Sequence, residues 1–234
     1  MSQAASIEWW NKSLDEVGVR GMDKVLSTDA TWEEALATGR EDLARGMSIT
    51  GLPRHSGGTV VEIGCGMGRM SAALAEHFDR VVGLDIAPRM VEEARRRNGN
   101  PRVEFQLIEG GELRPGALSE CEAIVSYEVL YYLPPADLAR YFRDAFRLLK
   151  SGGRFVFHIN MEPIRWKTRL AFLLRRLMYS CGIKEWRGWS TGAGLRRYYH
   201  SEAWLRASLT EAGFVVDSVC GPSRRQTWVS AHKP

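Results

Sequence analysis

The sequence is poor in the features that would place it outside the cell or across a membrane. Its four cysteines, Cys65, Cys121, Cys181 and Cys220, are scattered, with no Cys-x-x-Cys pair and no histidine at ligand spacing. Neither a disulfide framework nor a metal site is expected from them, and all four are read as reduced thiols. No apolar run reaches the roughly 18 residues that a spanning helix needs. The opening stretch, MSQAASIEWWNKSLDE, lacks a basic start followed by an apolar core, so no secretory signal is expected and the cytoplasm is the simplest home. Low-complexity tracts, internal repeats and linkers are lacking too, which argues for one domain that folds alone.

What is present is a chain of 234 residues, 44% hydrophobic and 26% charged, long enough to bury a full core. Its net charge of +4 is unevenly spread. Residues 160–200 carry nine basic side chains against the acidic Glu162 and Glu185, so the remainder of the chain is net negative. A local basic excess concerns partners rather than fold.

From residue 59 onward, short β-branched runs alternate with longer helical patterns, the signature of a parallel sheet with crossover helices. The strand candidates are TVVEIG (59–64), RVVGLD (80–85), VEFQLI (103–108), AIVSYE (123–128) and RFVFHI (154–159), apolar at consecutive positions as in strands covered on both faces. Helical patterns fall between them at RMSAALAEHF, PRMVEEARRR and PADLARYFRDAFRLLK. In the last, Leu138, Tyr141, Phe142, Ala145, Leu148 and Leu149 recur at three- and four-residue steps, and Ser151-Gly152-Gly153 is expected to stop the helix. A helix in SEAWLRASLTEAG, N-capped by Ser201, precedes two final strand candidates, FVVDSV and QTWVSA. The expected division is an N-terminal helical cap over 1–55, an α/β core over 57–159, an insert over 160–200, and a last helix and hairpin over 201–234.

The stretch VVEIGCGMGRM sets Gly64, Gly66 and Gly68 where a strand ends and a helix begins. A side-chain-free turn there lets the backbone approach a ligand, and the helix start offers free N–H groups to an anion. Either a nucleotide-type cofactor or a tight turn fits these glycines alone. Arg69 stands where the dinucleotide fingerprint needs a third spaced glycine, which disfavours a nicotinamide dehydrogenase. The loop instead reads Glu-x-Gly-x-Gly-x-Gly from Glu62, and Asp85 closes the second strand about 20 residues on, where a carboxylate can accept both hydroxyls of a ribose.

With these residues in view, the region resembles the class I S-adenosylmethionine-dependent methyltransferases, of the group that includes ubiquinone-pathway and natural-product enzymes. The resemblance runs from about residue 57 to 160 and resumes from about 198 to the end. It implies an α/β, Rossmann-like seven-stranded sheet, mostly parallel with one antiparallel strand, carrying helical caps. It further implies that Glu62, Gly64, Cys65, Gly66 and Gly68 hold the methionyl part of the cofactor and Asp85 the ribose. Ile86 and Met90 would pack near the adenine; Glu109 and Gly110 would read its amine and ring. Ser126 and Tyr127 would line the methionyl group, with Glu128 closing the same strand.

Methyl transfer from a sulfonium is an in-line displacement for which holding the acceptor at attack distance can suffice. A hydroxyl or acidic carbon acceptor also needs a base, and His158, His200 and Tyr131 are the candidates. Each has a plain structural alternative: His158 as a bonded core residue, His200 as the flank of a helix cap, Tyr131 as aromatic packing. An acceptor that is already a carboxylate or an amine needs no base.

The substrate side is read from two additions to the core. Trp9, Trp10 and Tyr132 are expected near the acceptor, together with Trp189, Arg196, Arg197, Tyr198 and Tyr199 of the insert. Aromatic walls with arginines suit an aromatic or apolar acceptor that bears an anionic group. Within 164–181, Trp166, Leu170, Leu173, Leu174 and Leu177 form an apolar helical stripe beside the basic Arg165, Arg169 and Arg176. Such a helix packs on the sheet edge or lies on an anionic membrane, where it would serve a lipid or quinone acceptor. The leading expectation is O-methylation of a small or medium-sized metabolite by a monomer or homodimer. RNA or protein methylation and a silent cofactor-binding protein are the alternatives, and nucleic acid is disfavoured because no RNA-binding module accompanies the insert.

Overall fold

The computed structural model describes residues 10, 31–52, 57–108, 113, 120–183, 185–186, 189–190 and 197–234. The elements in chain order are α1 (Trp32–Thr50), β1 (Thr59–Ile63), α2 (Arg69–Leu74), β2 (Arg80–Asp85), α3 (Pro88–Arg97), β3 (Val103–Leu107) and β4 (Cys121–Ser126). After a 3-10 turn at Leu130–Tyr132 come α4 (Pro135–Leu148), β5 (Leu149–Ile159), α5 (Trp166–Ser180), β6 (Glu185–Trp186), β7 (Trp189–Ser190), α6 (Glu202–Glu211), β8 (Val215–Ser223) and β9 (Gln226–His232).

Seven strands form one sheet in the order β3-β2-β1-β4-β5-β9-β8, and β6 with β7 makes a separate small ribbon. Strands β1 to β5 pair in parallel, while β9 runs antiparallel to both β5 and β8. A single strand is therefore reversed, as the resemblance implies. The order turns back between β1 and β4, and in open α/β sheets ligands bind outside the carboxyl ends of the strands at such a switch point.

Strand faces segregate by sequence parity. Val61 and Ile63 of β1, Phe155 and Phe157 of β5 and Val229 of β9 face a core shared with α4 and α6. Val60, Val81, Val125, Val156 and Trp228 face the other side, against Leu43 and Met47 of α1 and Met70 and Leu74 of α2. Helix α1 begins in a capping box: the Glu34 N–H donates to Thr31 Oγ1 at 3.2 Å, and the Thr31 N–H donates to Glu34 at 2.7 Å. It sits close because two of its residues have no side chain. A Cβ on Gly39 would lie 2.6 Å from the Arg69 carbonyl oxygen, and one on Gly46 would lie 2.5 Å from the Trp228 ring.

Three boundaries and one packing face differ from the sequence expectation. Helix α2 ends at Leu74 rather than running through Phe78, because the N–H groups of Asp79 and Arg80 both donate to the Gly58 carbonyl and turn the chain into β2. Ser151-Gly152-Gly153 does not stop α4; the helix ends at Leu148, and β5 already includes those residues. There Gly152 N–H donates to Lys233 and Lys233 N–H to Gly153, so pairing with the chain end extends the strand. The fourth strand starts at Cys121 and stops at Ser126, leaving Tyr127 and Glu128 beyond its end. Finally, the apolar stripe of α5 does not pack on the sheet: Trp166 is 68% exposed, and Leu170, Leu173, Leu174 and Leu177 are about half exposed.

Candidate active site

The loop after β1 is tied to β2 before any ligand is considered. Gly64 and Cys65 N–H groups donate to the Leu84 carbonyl at 2.7 and 3.0 Å, and Gly68 N–H donates to the Cys65 carbonyl at 2.9 Å. Gly64 takes φ 78° and faces Val129, where a Cβ would come within 2.2 Å of the valine side chain. Gly66, at φ 53°, borders open space. Asp85 lies beneath the loop, accepting from Gly66 N–H and Ala87 N–H at 2.9 Å each, one on each oxygen. Each oxygen keeps a further lone pair for a hydroxyl. Burial raises the Asp85 carboxyl above its ordinary range, against the pull of those N–H groups.

Glu62, on β1, is 2% exposed and accepts from the Ser71 hydroxyl. Burial lifts its pKa to about 7, with the Asp85 charge adding to the rise and Ser71 and Arg69 opposing it. Cys65 is buried with its thiol pushed well up by the same desolvation, so it is an inert packing group. Ser126 is committed to the scaffold, donating to the Ile63 carbonyl at 2.9 Å and so joining the ends of β4 and β1. Met90 is buried with Met67 and Ala87, and Trp10 and Trp32 pack against this group; Ile86 is half-buried against the core on the α4 side. Glu109 and Gly110 lie outside the described residues.

Arg69, conspicuous in the sequence only as a missing glycine, pairs with Asp42 of α1 at 2.8 Å, both nearly buried, and its guanidinium lies 5.3 Å over the Tyr127 ring. No sequence signal links residues 27 apart, so this clamp between α1, the loop helix and the end of β4 is a finding of the tertiary structure. A partnered arginine of this kind is costly to orphan, about 3–5 kcal/mol for loss of one partner.

At the ends of β4 and β5 the sequence candidates converge. His158 pairs across the sheet with Trp228 and is 1% exposed, its ring 5.0 Å from Tyr127 and 5.6 Å from Trp228. Burial lowers its pKa, and the nearby Glu128 charge opposes that. Glu128 Oε1 lies 3.2 Å from His158 Nδ1, and the Tyr131 hydroxyl donates to Glu128 Oε2. Tyr131 is buried and its phenol is raised far beyond its ordinary range, chiefly by desolvation, so it stays protonated as a donor. Tyr132 stacks on Tyr131 at 4.4 Å and meets Trp10 edge-on at 6.3 Å, while Tyr198 N–H donates to the Tyr131 carbonyl at 2.8 Å.

His200 stands apart in kind. Its Nε2 is 3.1 Å from the Leu133 carbonyl, its ring lies 5.0 Å from Trp204, and burial lowers its pKa. The contact fastens the returning insert to the turn after β4. Tyr199 is 41% exposed and lines a cleft of about 400 Å³ with Met161, Glu202, Cys220 and Arg224, away from the glycine loop. Arg197 is partly buried; Trp9 and Arg196 lie outside the described residues, as does the side chain of Trp189. Among the described residues no group of histidine, cysteine or acidic side chains could hold a metal ion.

The residues fit the cofactor that the resemblance implies. Asp85 and Glu62 give two buried carboxylates beside a loop with room at Gly66, suited to a diol and to positive charge. Comparison with known proteins points the same way. Residues 60–153 match the profile of a methyltransferase domain. A ubiquinone biosynthesis O-methyltransferase of Pseudomonas fluorescens is 30% identical over 111 residues, covering 46% of this chain and 47% of that protein. A 37.1 kDa uncharacterized protein from transposon TN4556 of Streptomyces fradiae is 31% identical over 62% of this chain and 42% of its own length. The chain thus spans less than half the length of these relatives. Among solved structures, magnesium protoporphyrin IX methyltransferase of Synechocystis with bound S-adenosylhomocysteine superposes over the whole of both chains with a TM-score of 0.66 at 16% identity. A Mesorhizobium loti S-adenosylmethionine-dependent methyltransferase, 20% identical, gives 0.61 over 85% of this chain and all of that one. Residues 60–153 of this chain thus resemble a methyltransferase domain in sequence, and the sheet that carries them has the fold of these solved methyltransferases.

Proposed function

We propose that this chain transfers a methyl group from S-adenosylmethionine to a small or medium-sized metabolite, at oxygen. The observation that carries the reading is the Asp85 carboxylate under the loop tip, bonded to Gly66 N–H and still able to accept from hydroxyls. The cofactor supplies an electrophilic methyl on a positively charged sulfur. The protein's part is to hold the acceptor in line with it, in the aromatic corner of Tyr132, Trp10 and Tyr198 at the ends of β4 and β5. Trp9, Trp189, Arg196, Arg197 and Tyr199 complete the proposed acceptor side, with Glu109 and Gly110 on the adenine.

The test is titration calorimetry with adenosylhomocysteine followed by labelled methyl transfer into metabolite, RNA and protein fractions. Binding that weakens at least 100-fold in Asp85→Ala, with label entering the metabolite fraction, is the expected outcome. No binding by the unaltered protein, or equal binding by the variant, rejects the reading; label in RNA or protein reassigns the acceptor.

The exposed stripe of α5 favours one refinement. Five large apolar side chains face solvent on a segment whose only charges, from residue 163 to 184, are basic. That combination suits contact with an anionic membrane surface and an acceptor dissolved there, such as a lipid or quinone.

A further inference from the structure

Glu128 is a non-glycine residue held at φ 61°, and no other described non-glycine residue takes a positive φ. Such backbone is disfavoured for any residue with a Cβ, and it persists where the surroundings enforce it, commonly at functional sites. Here the Tyr131 hydroxyl donates to Oε2, and His158 Nδ1 lies 3.2 Å from Oε1 without hydrogen-bonding it. The two neighbours are buried at 4% and 1% exposure, whereas the Glu128 side chain is 32% exposed. It lies two residues past the carboxyl end of β4, at the switch point, and the next residue, Val129, is the one that Gly64 must stay bare to accommodate. Of the three candidate proton acceptors in this corner, it alone reaches open space. Neutral His158 lies behind the rings of Tyr127 and Trp228, and Tyr131 spends its hydroxyl on Glu128.

We propose that Glu128 is the catalytic base that meets the acceptor, that His158 and Tyr131 are its positioning residues, and that the methylated atom carries a hydrogen, as in a hydroxyl or an amine, rather than being a carboxylate oxygen. This rests on the methyl-transfer reading above. In the step, the X–H proton of the acceptor passes to Glu128 Oε. X gains the methyl carbon, and the electron pair of the broken carbon–sulfur bond stays on sulfur, now a neutral thioether. The carboxylic acid then yields its proton to water. The electrostatics of the site support the choice of acceptor: Arg69 is already engaged by Asp42, and the charges of Asp42 and Glu128 both bear on Tyr127 in this corner. An anionic reacting oxygen would meet a carboxylate there, whereas a hydrogen-bond donor finds an acceptor. Any anionic group on the substrate belongs further out, toward Arg197.

Two measurements on the full chain test this. Labelled S-adenosylmethionine is supplied with a pool of catechols, aryl amines and aryl carboxylic acids together with a cell metabolite extract, and the product is treated with alkali. Label that survives is expected; labelled methanol released by alkali marks a carboxyl ester and overturns the proposal while leaving methyl transfer standing. In Glu128→Gln, adenosylhomocysteine binding and melting temperature should hold while kcat falls about 100-fold and KM moves little. Unchanged kcat overturns it. Glu128→Gly, which suits the left-handed backbone, is the second variant should the glutamine form fold poorly, with the same loss expected. Without any cofactor, the His158 imidazole titration followed by nuclear magnetic resonance should drop further in Glu128→Gln, since of the two carboxylates that raise it, Glu128 and Asp42, only the second remains. An unmoved titration rejects the positioning role. Label in no fraction, with adenosylhomocysteine still bound, rejects catalysis and base alike; absent binding rejects the methyltransferase reading first.

Discussion

On the β1–β2 side of the switch point, the described groups that would hold the methionyl part and the ribose come from residues 62–85, and the glycine loop is locked to β2 by main-chain bonds and by Asp85. On the β4–β5 side, the corner that would hold the acceptor draws on Trp10, on residues 127–132, on His158 and on Tyr198, and it is locked by rings and side-chain bonds. Backbone bonds within one short segment specify a site whose ligand never varies. Side chains brought from four places in the chain can be exchanged singly, so one scaffold accommodates many acceptors.

The contrast breaks most visibly at the glycines. Alanine at Gly64 meets both a left-handed backbone and Val129 at 2.2 Å, whereas alanine at Gly66 meets the backbone alone. Urea unfolding should show a loss of about 3 kcal/mol for Gly64→Ala against about 1 kcal/mol for Gly66→Ala, the latter falling mainly on cofactor affinity. Equal losses would mean that the loop is not wedged against the start of the acceptor corner.

A smaller effect sharpens the electrostatic side. Burial raises Glu62 from 4.5 to about 7, so its contribution to the fold is complete below about 4.5 and is lost as the pH rises through about 7. The ammonium group of adenosylhomocysteine favours the ionised carboxylate, so binding should release a proton below about 7 and tighten as the pH climbs to it. Calorimetry in buffers of different ionisation heat measures that proton, and Glu62→Gln should abolish it. Release that persists in the variant would point to Asp85, which burial raises as well.

The smallest effect concerns the outer edge of the acceptor half. Replacing both Leu173 and Leu174 by serine should leave the unfolding free energy within about 0.5 kcal/mol of the parent, because both side chains are about half exposed. The same pair should lose sedimentation with anionic phosphatidylglycerol vesicles if α5 lies on membranes. A large loss of stability would show instead that another part of the chain covers the stripe.

Much of the cofactor half is legible in the linear sequence because its determinants are neighbours there. Helix α3 spans the same Pro88–Arg97 as the periodicity predicts, and Ser201 caps α6 as read, its hydroxyl accepting from Trp204 N–H. The glycine loop and Asp85 fall at the ends of β1 and β2 for the same local reason. Helix α2 and strand β5 depart from expectation where a distant segment competes for the same backbone groups, Gly58 in one case and Lys233 in the other.

Alternation of strand and helix, the bare turn after β1 and the acidic residue closing β2 follow from the order of amino acids alone, since each depends on contacts within a few residues or on burial of whole runs. The Arg69–Asp42 pair and the placing of His158 beside Glu128 exist only once the sheet has closed its order at β1 and β4. Those contacts join residues on different elements, and the spacing of letters in a chain does not encode the distances between faces of a sheet.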